Sequence, residues 1–285
     1  MKQGRSISFI IRLFFLILLG IIAVLPVLYT FANSFMSSEE ITLYYGPAMM
    51  EDGQGFSVFH LIPDELSLDG YRQILLEQPE YLLKFWNSVA LAGSIVLGQV
   101  AISCLGGYGF SKFCFPLKNT IFVIVMIVMM MPYQVTLVSN YIVLKEANLI
   151  GSFWSVILPG IFSPFGVFLM KQAMDGVPDE MIESAQLDGA RQLTLLRRVV
   201  IPCAKGGLVA LILLSFIDNW NMVEQPLVFL KDQSQYPLSV FLAQVNRLNF
   251  SVSFACGVLA MIPVFLLFGY FEEELVEGIA LSGLK

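Results

Sequence analysis

Charge is scarce in this chain. Only 13% of its 285 residues are Asp, Glu, Lys or Arg, against roughly 25% in soluble domains. So little charge, with 57% hydrophobic residues, excludes an ordinary water-soluble globule, because a chain of this size leaves much of its surface exposed. Basic residues number 16 against 22 acidic ones and form no basic face, which excludes nucleic acid as a partner. Histidine occurs once, at His60. No Ser-His pair and no H-E-x-x-H motif forms within an apolar run, so the sequence supplies no catalytic residues for a membrane-embedded protease. His60 reads as an ordinary loop residue without an evident partner. The four cysteines, Cys104, Cys114, Cys203 and Cys256, make no CxxC pair. They support neither a disulfide framework nor a zinc site, and read as small buried hydrophobes. No metal and no cofactor is expected in this chain. A G-x-x-x-x-G-K-[ST] phosphate loop is absent too, so any nucleotide chemistry belongs to another polypeptide.

What is present is a series of long apolar runs, with a mean hydropathy of +0.76. About 20 apolar residues cross a bilayer as a helix, and six stretches qualify, near 9–31, 88–110, 119–140, 152–171, 204–222 and 253–271. Helices are the form a lipid environment allows, because each segment must satisfy its own backbone. The expected fold class is all-α, a polytopic membrane protein of six transmembrane helices. The first run follows Lys2 and Arg5 like a signal peptide. Its apolar core is too long for one and no A-x-A-like site follows Phe31, so it reads as a retained helix.

Lys and Arg set the orientation. If six helices alternate, eleven of the 16 basic residues fall on one side: Lys2, Arg5, Arg12, Lys112, Lys118, Lys171, Arg191, Arg197, Arg198, Lys205 and Lys285. Arg72, Lys84, Lys145, Lys231 and Arg247 fall on the other. Both termini are then cytoplasmic, with 1–8 as a short N-terminal segment and 272–285 as a tail. The segment 34–85, rich in acids from Glu39 to Glu80, faces outward. Within it, Gly46-Pro47 and Gly53-Gln54-Gly55 read as turns, and 68–76 has helical apolar spacing.

Between the fourth and fifth runs lies a polar loop, 175–202. Asp175-Gly176-Val177-Pro178 is a turn with proline placed to start a helix. Asp179, Glu180 and Glu183 suit its first turns, where negative charge meets the helix dipole. Ile182, Ala185, Gln186 and Gly189 share one mostly small face, suited to close approach by a partner. Gly189 fits the left-handed position that ends a helix. A second helix is expected from Arg191 to Ile201, interrupted by Pro202.

The order Glu183, Ser184, Ala185, Asp188, Gly189, Ala190 and then Ile201-Pro202 resembles the "EAA" loop of bacterial ABC-importer permeases. Ser184 stands where that family usually has alanine. Further matches extend along the chain. They are Pro26 and Ser34, Asn219-Trp220-Asn221 through Pro226-Leu227, Tyr236 to Val240 with Leu242-Ala243-Gln244, Pro263, and the tail from Val276 to Ala280 and Gly283 to Lys285. These resemble the carbohydrate-uptake branch, and most of all the smaller, six-helix permease of the maltose type. The resemblance implies a permease domain over 9–285 in the cell membrane and transport without enzymatic activity. It implies a companion permease in a heterodimer, two copies of a cytoplasmic ATPase that supplies ATP and Mg chemistry, and an extracellular solute-binding protein. Within it, 179–202 would be the cytoplasmic coupling segment, with Glu277, Gly278 and Lys285 as a second contact to the ATPase.

Polar residues inside apolar runs are expensive, so Asp218, Asn219, Trp220 and Asn221 are the candidates for a substrate pathway. An aromatic face beside amides suits a sugar, and an interfacial aromatic anchor suits the same residues. Asn87, Gln99, Gln134 and Thr136 read as helix–helix hydrogen bonders, Met126 and Met129 to Met131 as packing, and Glu272 to Glu274 as a solvated end. A gradient-driven secondary carrier is the alternative. It normally buries several ionisable groups at the midplane, and here Asp218 is the sole clear acid.

Overall fold

The computed structural model describes residues 2–46, 60–77, 80–245 and 250–282. Among these the regular structure is all helical, with no strand. In chain order the α-helices are α1 (Lys2–Asn33), α2 (Ser38–Tyr45), α3 (Asp69–Arg72), α4 (Glu80–Lys112), α5 (Lys118–Met129), α6 (Tyr133–Glu146), α7 (Trp154–Gly160) and α8 (Pro164–Asp175). They continue as α9 (Asp179–Leu187), α10 (Gln192–Leu195), α11 (Ile201–Cys203), α12 (Lys205–Trp220), α13 (Glu224–Phe229), α14 (Leu238–Val245) and α15 (Phe250–Ser282). The chain divides into two compact units, residues 1–82 with 242–262 and residues 83–241 with 263–285.

Among the described residues four stretches are long and apolar enough to cross a membrane: Phe9–Asn33, Glu80–Lys112, Trp154–Asp175 and Val252–Glu274. Two bent pairs bring the number to six if each counts as one span. The first pair departs from the expected uniform span near 119–140. There α5 and α6 meet at 100°, across Met130 to Pro132. Pro132 has no N–H to continue the ladder, and it stands at the N-cap of α6 with extended backbone. The second pair bends by 84° where α11 meets α12, at Ala204. Ahead of Pro202 the chain widens into a π-turn over Leu196–Val200 instead of stopping. The residues expected to be a solvated end after the last span are also helical, because α15 runs on to Ser282. Glu274 there takes a 2.8 Å ion pair from Lys205.

In the first unit, α1 presents an exposed apolar surface from Phe9 to Phe31. Pro26 lies within it, and the Thr30 hydroxyl donates to the Pro26 carbonyl at 2.9 Å. Ser37 then caps α2, accepting the Glu40 N–H at 3.2 Å, with Glu39 and Glu40 in the favourable first turn. Met36, Ile41 and Tyr45 bury themselves against Tyr29, Tyr44 and Phe254. The Tyr29 hydroxyl donates to that of Tyr45 at 2.7 Å, and Tyr45 donates to Asn33 Oδ1 at 2.6 Å. Burial first, and the bond from Tyr29 second, raise the Tyr45 pKa above the ordinary tyrosine range. The helix expected over 68–76 is α3 followed by a π-turn, Gln73–Glu77, with Ile74 fully buried. Of the two expected turns, Gly46 ends α2, while Pro47 and Gly53 to Gly55 lie outside the described residues.

In the second unit, α4, α8 and α12 pack closely. Gly107 is the clearest reason. A Cβ there would lie 2.7 Å from Met170 Cβ and 2.8 Å from the Lys171 backbone nitrogen, so only glycine lets α4 and α8 approach this far. Near its start, α4 holds the loop ahead of α14. Lys84 donates to the Gln233 carbonyl, Asn87 to the Ser234 and Tyr236 carbonyls at 2.7 and 3.2 Å, and Ser88 accepts the Leu238 N–H at 2.8 Å. All four cysteines are unbridged. Cys104 and Cys256 are buried as expected, but Cys114 and Cys203 are exposed, Cys114 in the turn after α4 and Cys203 at the end of α11.

Candidate functional site

The loop between α8 and α12 folds as a compact unit on its own core. Lys112, at the end of α4, donates to the Val177 carbonyl at 2.6 Å and to Asp179 Oδ1 at 2.7 Å. That fixes the entry to α9. Asp179 and Glu180 occupy the first turn, as dipole matching favours. The helix ends in a Schellman motif: the Gly189 N–H bonds the Gln186 carbonyl at 2.9 Å and the Ala190 N–H bonds the Ala185 carbonyl at 3.0 Å. Gly189 has φ +85°, the left-handed backbone that glycine adopts without strain.

Of the face of α9 expected to meet a partner, Ile182 and Ala185 are turned to the chain's own core, while Gln186 and Gly189 are exposed. Ile182 packs with Val177, Leu195, Leu196, Val200, Met170 and Tyr108, and Ala185 and Ala190 lean on the same cluster. The outward face is different: Met181, Glu183, Ser184, Leu187, Asp188 and Gly189 are exposed. Leu187 is 90% exposed, an unusual position for a leucine on a short polar loop. Tyr108 steadies the far side, its hydroxyl donating to Gln192 Oε1 at 2.8 Å. Arg197, Arg198 and Pro202 are exposed, and Ile201 is half-buried on the core.

A second feature lies among the helices of the same unit. A cavity of about 510 Å³ is lined by residues from α4, α5, α6, the α7–α8 stretch, α12 and α13. Asp218 and Asn219 line it, together with Gln99, Tyr133, Thr136, Asn140, Ser163, Ser215 and Gln225. Met129 and Met131 are on its wall, so two of the methionines read as packing border this space. Trp220 and Asn221 are not among the lining residues. Trp220 is 4% exposed, its ring stacked on Phe216 and edge-on to Phe85. Asn221 donates to the Ile217 carbonyl at 2.9 Å. Asn219 donates to the Ser215 carbonyl at 2.7 Å. Gln99 donates across helices to the Gly160 carbonyl at 2.7 Å, and Gln134 reaches Glu224 at 3.2 Å, whereas Thr136 bonds within its own helix.

Tyr133, Asn140, Ser163, Ser215 and Gln225 escaped the sequence reading. Read one at a time they carry no pattern, and only their convergence on the cavity marks them. Glu277 and Gly278 fall on the last turns of α15, where side chains are not described. Lys285 lies outside the described residues.

Apolar spanning helices, a polar cavity among them and a rigid polar loop beside them define a membrane transport permease. The chain belongs to the family described as "Binding-protein-dependent transport system inner membrane component", whose model matches residues 85–275. It is 27% identical, over 100% of its length and 99% of the relative's, to the arabinooligosaccharides transport system permease protein AraQ of Halalkalibacterium halodurans. It is also 27% identical to the sn-glycerol-3-phosphate transport system permease protein UgpE of Brucella abortus, with 98% of each chain covered. In fold it is similar to a chain of a bacterial ABC transporter that imports the acidic polysaccharide alginate, with TM-score 0.78, 22% identity and coverage of 95% and 97%. The chain is thus the inner-membrane permease subunit of an ABC importer. It is a transport subunit, not itself an enzyme, and it works with an ATPase and a substrate-binding protein.

Proposed function

We propose that the chain forms half of the translocation pathway for a neutral, hydroxyl-rich solute such as an oligosaccharide, and that the exposed face of α9 docks on the ATPase. The family assignment supports the pathway role, and a relative named for arabinooligosaccharides supports a neutral sugar as the solute. The chemistry of the cavity narrows it. Nine polar side chains line that space, one of them a carboxylate, and none of the lining residues is Lys or Arg. Amides and hydroxyls bond sugar hydroxyls well. A phosphate or uronate would meet Asp218 without a compensating cation. Asp218 and Asn219 are the pathway residues in this reading, and Trp220 positions them by anchoring the end of α12.

The coupling role rests on one observation, the exposed apolar pair Met181 and Leu187 on a helix locked at both ends. Glu183, Ser184, Asp188 and Gly189 share that exposed surface, while Ala185, Ala190, Ile201 and Pro202 hold its frame. ATP-driven closure of the ATPase would push on α9, and the loop core would pass the movement to α8 and α12. The termini and this loop then lie in the cytoplasm, in keeping with the excess of basic residues on that side. A heterodimer with a companion permease, two ATPase copies and an extracellular binding protein complete the assembly, with Glu277, Gly278 and Lys285 as a second ATPase contact.

The test is twofold. Leu187→Ser should change thermal stability by no more than about 0.5 kcal/mol, as for most exposed sites, yet weaken ATPase co-purification and uptake. Unchanged co-purification would refute the docking face. Uptake of labelled neutral and uronate-containing oligosaccharides should favour the neutral set, and equal or reversed preference would refute the solute class.

A further inference from the structure

The single histidine of the chain stands between two carboxylates. His60 Nε2 lies 3.4 Å from Asp64 Oδ1 and 3.7 Å from Glu40 Oε1. One donor atom from each of Glu40, His60 and Asp64 falls within 4.8 Å of the others. The sequence reading of His60 as a partnerless loop residue is therefore corrected: its neighbours come from 20 residues upstream and four downstream, and folding brings them together.

Three observations distinguish this cluster from a chance meeting of surface charges. First, Glu40 is buried, with 7% side-chain exposure. Its Oε1 accepts the Asp64 N–H at 2.8 Å, but its Oε2 is buried with no hydrogen-bond partner among the described residues, as is His60 Nε2. A buried carboxylate oxygen left without a donor is costly, and a cation placed among the three side chains removes that cost. Second, one residue orients two of the three side chains. The Tyr44 ring stacks on the His60 imidazole, with centroids 4.3 Å apart and planes 9° from parallel. Its hydroxyl donates to Asp64 Oδ2 at 2.8 Å, leaving Oδ1 toward the histidine. Partners of this kind commonly fix metal ligands from behind. Third, the spacing suits a small cation. Zinc binds nitrogen and oxygen at about 2.0–2.1 Å in tetrahedral sites, which separates donor atoms by about 3.3–3.4 Å. The separations of 3.4 and 3.7 Å are within a small side-chain adjustment of that value.

From this geometry we infer that Glu40, His60 and Asp64 form a zinc site that ties α2 to the segment after residue 60. Imidazole with two carboxylates is a donor set suited to zinc, with a fourth position left to water. The site adjoins the Tyr29–Tyr45–Asn33 chain of hydrogen bonds, since the Tyr45 hydroxyl also lies 3.1 Å from the His60 carbonyl. Metal binding would stiffen the connection between the end of α1 and this segment. The inference is independent of the coupling and solute readings above.

The experiment uses the full chain purified in detergent, with Cys114→Ser and Cys203→Ser introduced to remove the two exposed thiols. Zinc alone is the probe. After dialysis against micromolar zinc, elemental analysis should find about one zinc per chain. Zinc should also raise the thermal unfolding temperature. His60→Ala and Asp64→Asn should each retain no zinc and lose the thermal shift. Tyr44→Phe, which leaves all three ligands in place, should weaken zinc binding about 10–100-fold. Asp64 is 61% exposed, so its substitution keeps the fold even if His60→Ala does not. Size-exclusion profiles monitor that point. Absence of zinc in the parent chain, equal zinc content in Asp64→Asn, or retention of calcium in place of zinc would overturn the assignment.

Discussion

Two polar segments that interrupt the apolar chain differ in the balance of forces that holds them together. The α8–α12 loop is an apolar device. Ile182, Leu195, Leu196 and Val200 are buried beneath it, its helix ends are closed by backbone bonds, and its charged residues Glu183, Asp188, Arg197 and Arg198 point outward. The described parts of the segment from Asn33 to Glu77, residues 33–46 and 60–77, add a polar framework to the small cluster around Met36 and Ile41. Its fixed points are side-chain bonds: Tyr29 to Tyr45 to Asn33, Ser34 to Tyr71, and Tyr44 to Asp64. Apolar burial is insensitive to solution conditions near neutral pH and resists load from any direction. A hydrogen-bonded network is directional and responds to whatever binds it. A segment that transmits work is better built the first way, and one that responds to ions or ligands the second.

That contrast is easiest to break at the loop. Gly189→Asp places a side chain at φ +85° on the outward face, and uptake should be abolished. Membrane insertion should persist, because nothing among the described residues lies within 4 Å of the new Cβ. Normal transport by this variant would remove the loop from the mechanism. Leu195→Ala empties a fully buried site and should cost about 2–5 kcal/mol in the loop's unfolding equilibrium. Limited proteolysis across 179–204 reads that loss as faster cleavage. Lys112→Ala removes two charged donor bonds and should cost about 1.5–3 kcal/mol by thermal unfolding. Asp179→Ala should stay within about 0.5 kcal/mol, because that carboxylate is 76% exposed. Equal effects of the two would mean that the ion pair, not the Val177 carbonyl, anchors α9. Tyr45→Phe sharpens the other side of the comparison. It leaves the fully buried Asn33 without its donor and should cost about 1 kcal/mol. Alkaline absorbance titration of the same variant should lose a late-ionising tyrosine.

Local features were legible in the sequence, and convergent ones were not. Pro178, the acids of the first turn and Gly189 announce a helix start and stop because each acts on its own backbone. The family resemblance rested on the same loop and is upheld by the match over residues 85–275. Half of the loop's expected partner face, Ile182 and Ala185, turned inward for a physical reason. Small residues at helical spacing invite any close neighbour, and here that neighbour is the chain's own cluster around Met170 and Val200. The bend at Pro132 was hidden by unbroken hydrophobicity, because apolar composition reports solvent and not direction. The cavity residues were missed because they come from separate parts of the chain: Tyr133 and Asn140 from α6, Ser163 from the start of α8 and Gln225 from α13. Trp220 attracted notice by its amide neighbours, yet its ring is spent on Phe85 and Phe216.

One detail of α4 has a mechanical consequence. The helix has 33 residues and is therefore about 50 Å long, well beyond the hydrocarbon thickness it needs to cross. Its final residue grips the first turn of α9. Such a rod works as a tiller: a shove of an ångström or two at the pinned tip swings the rest of its length through a small arc. The bundle then needs no large local deformation at the tip, only a shaft stiff enough not to buckle.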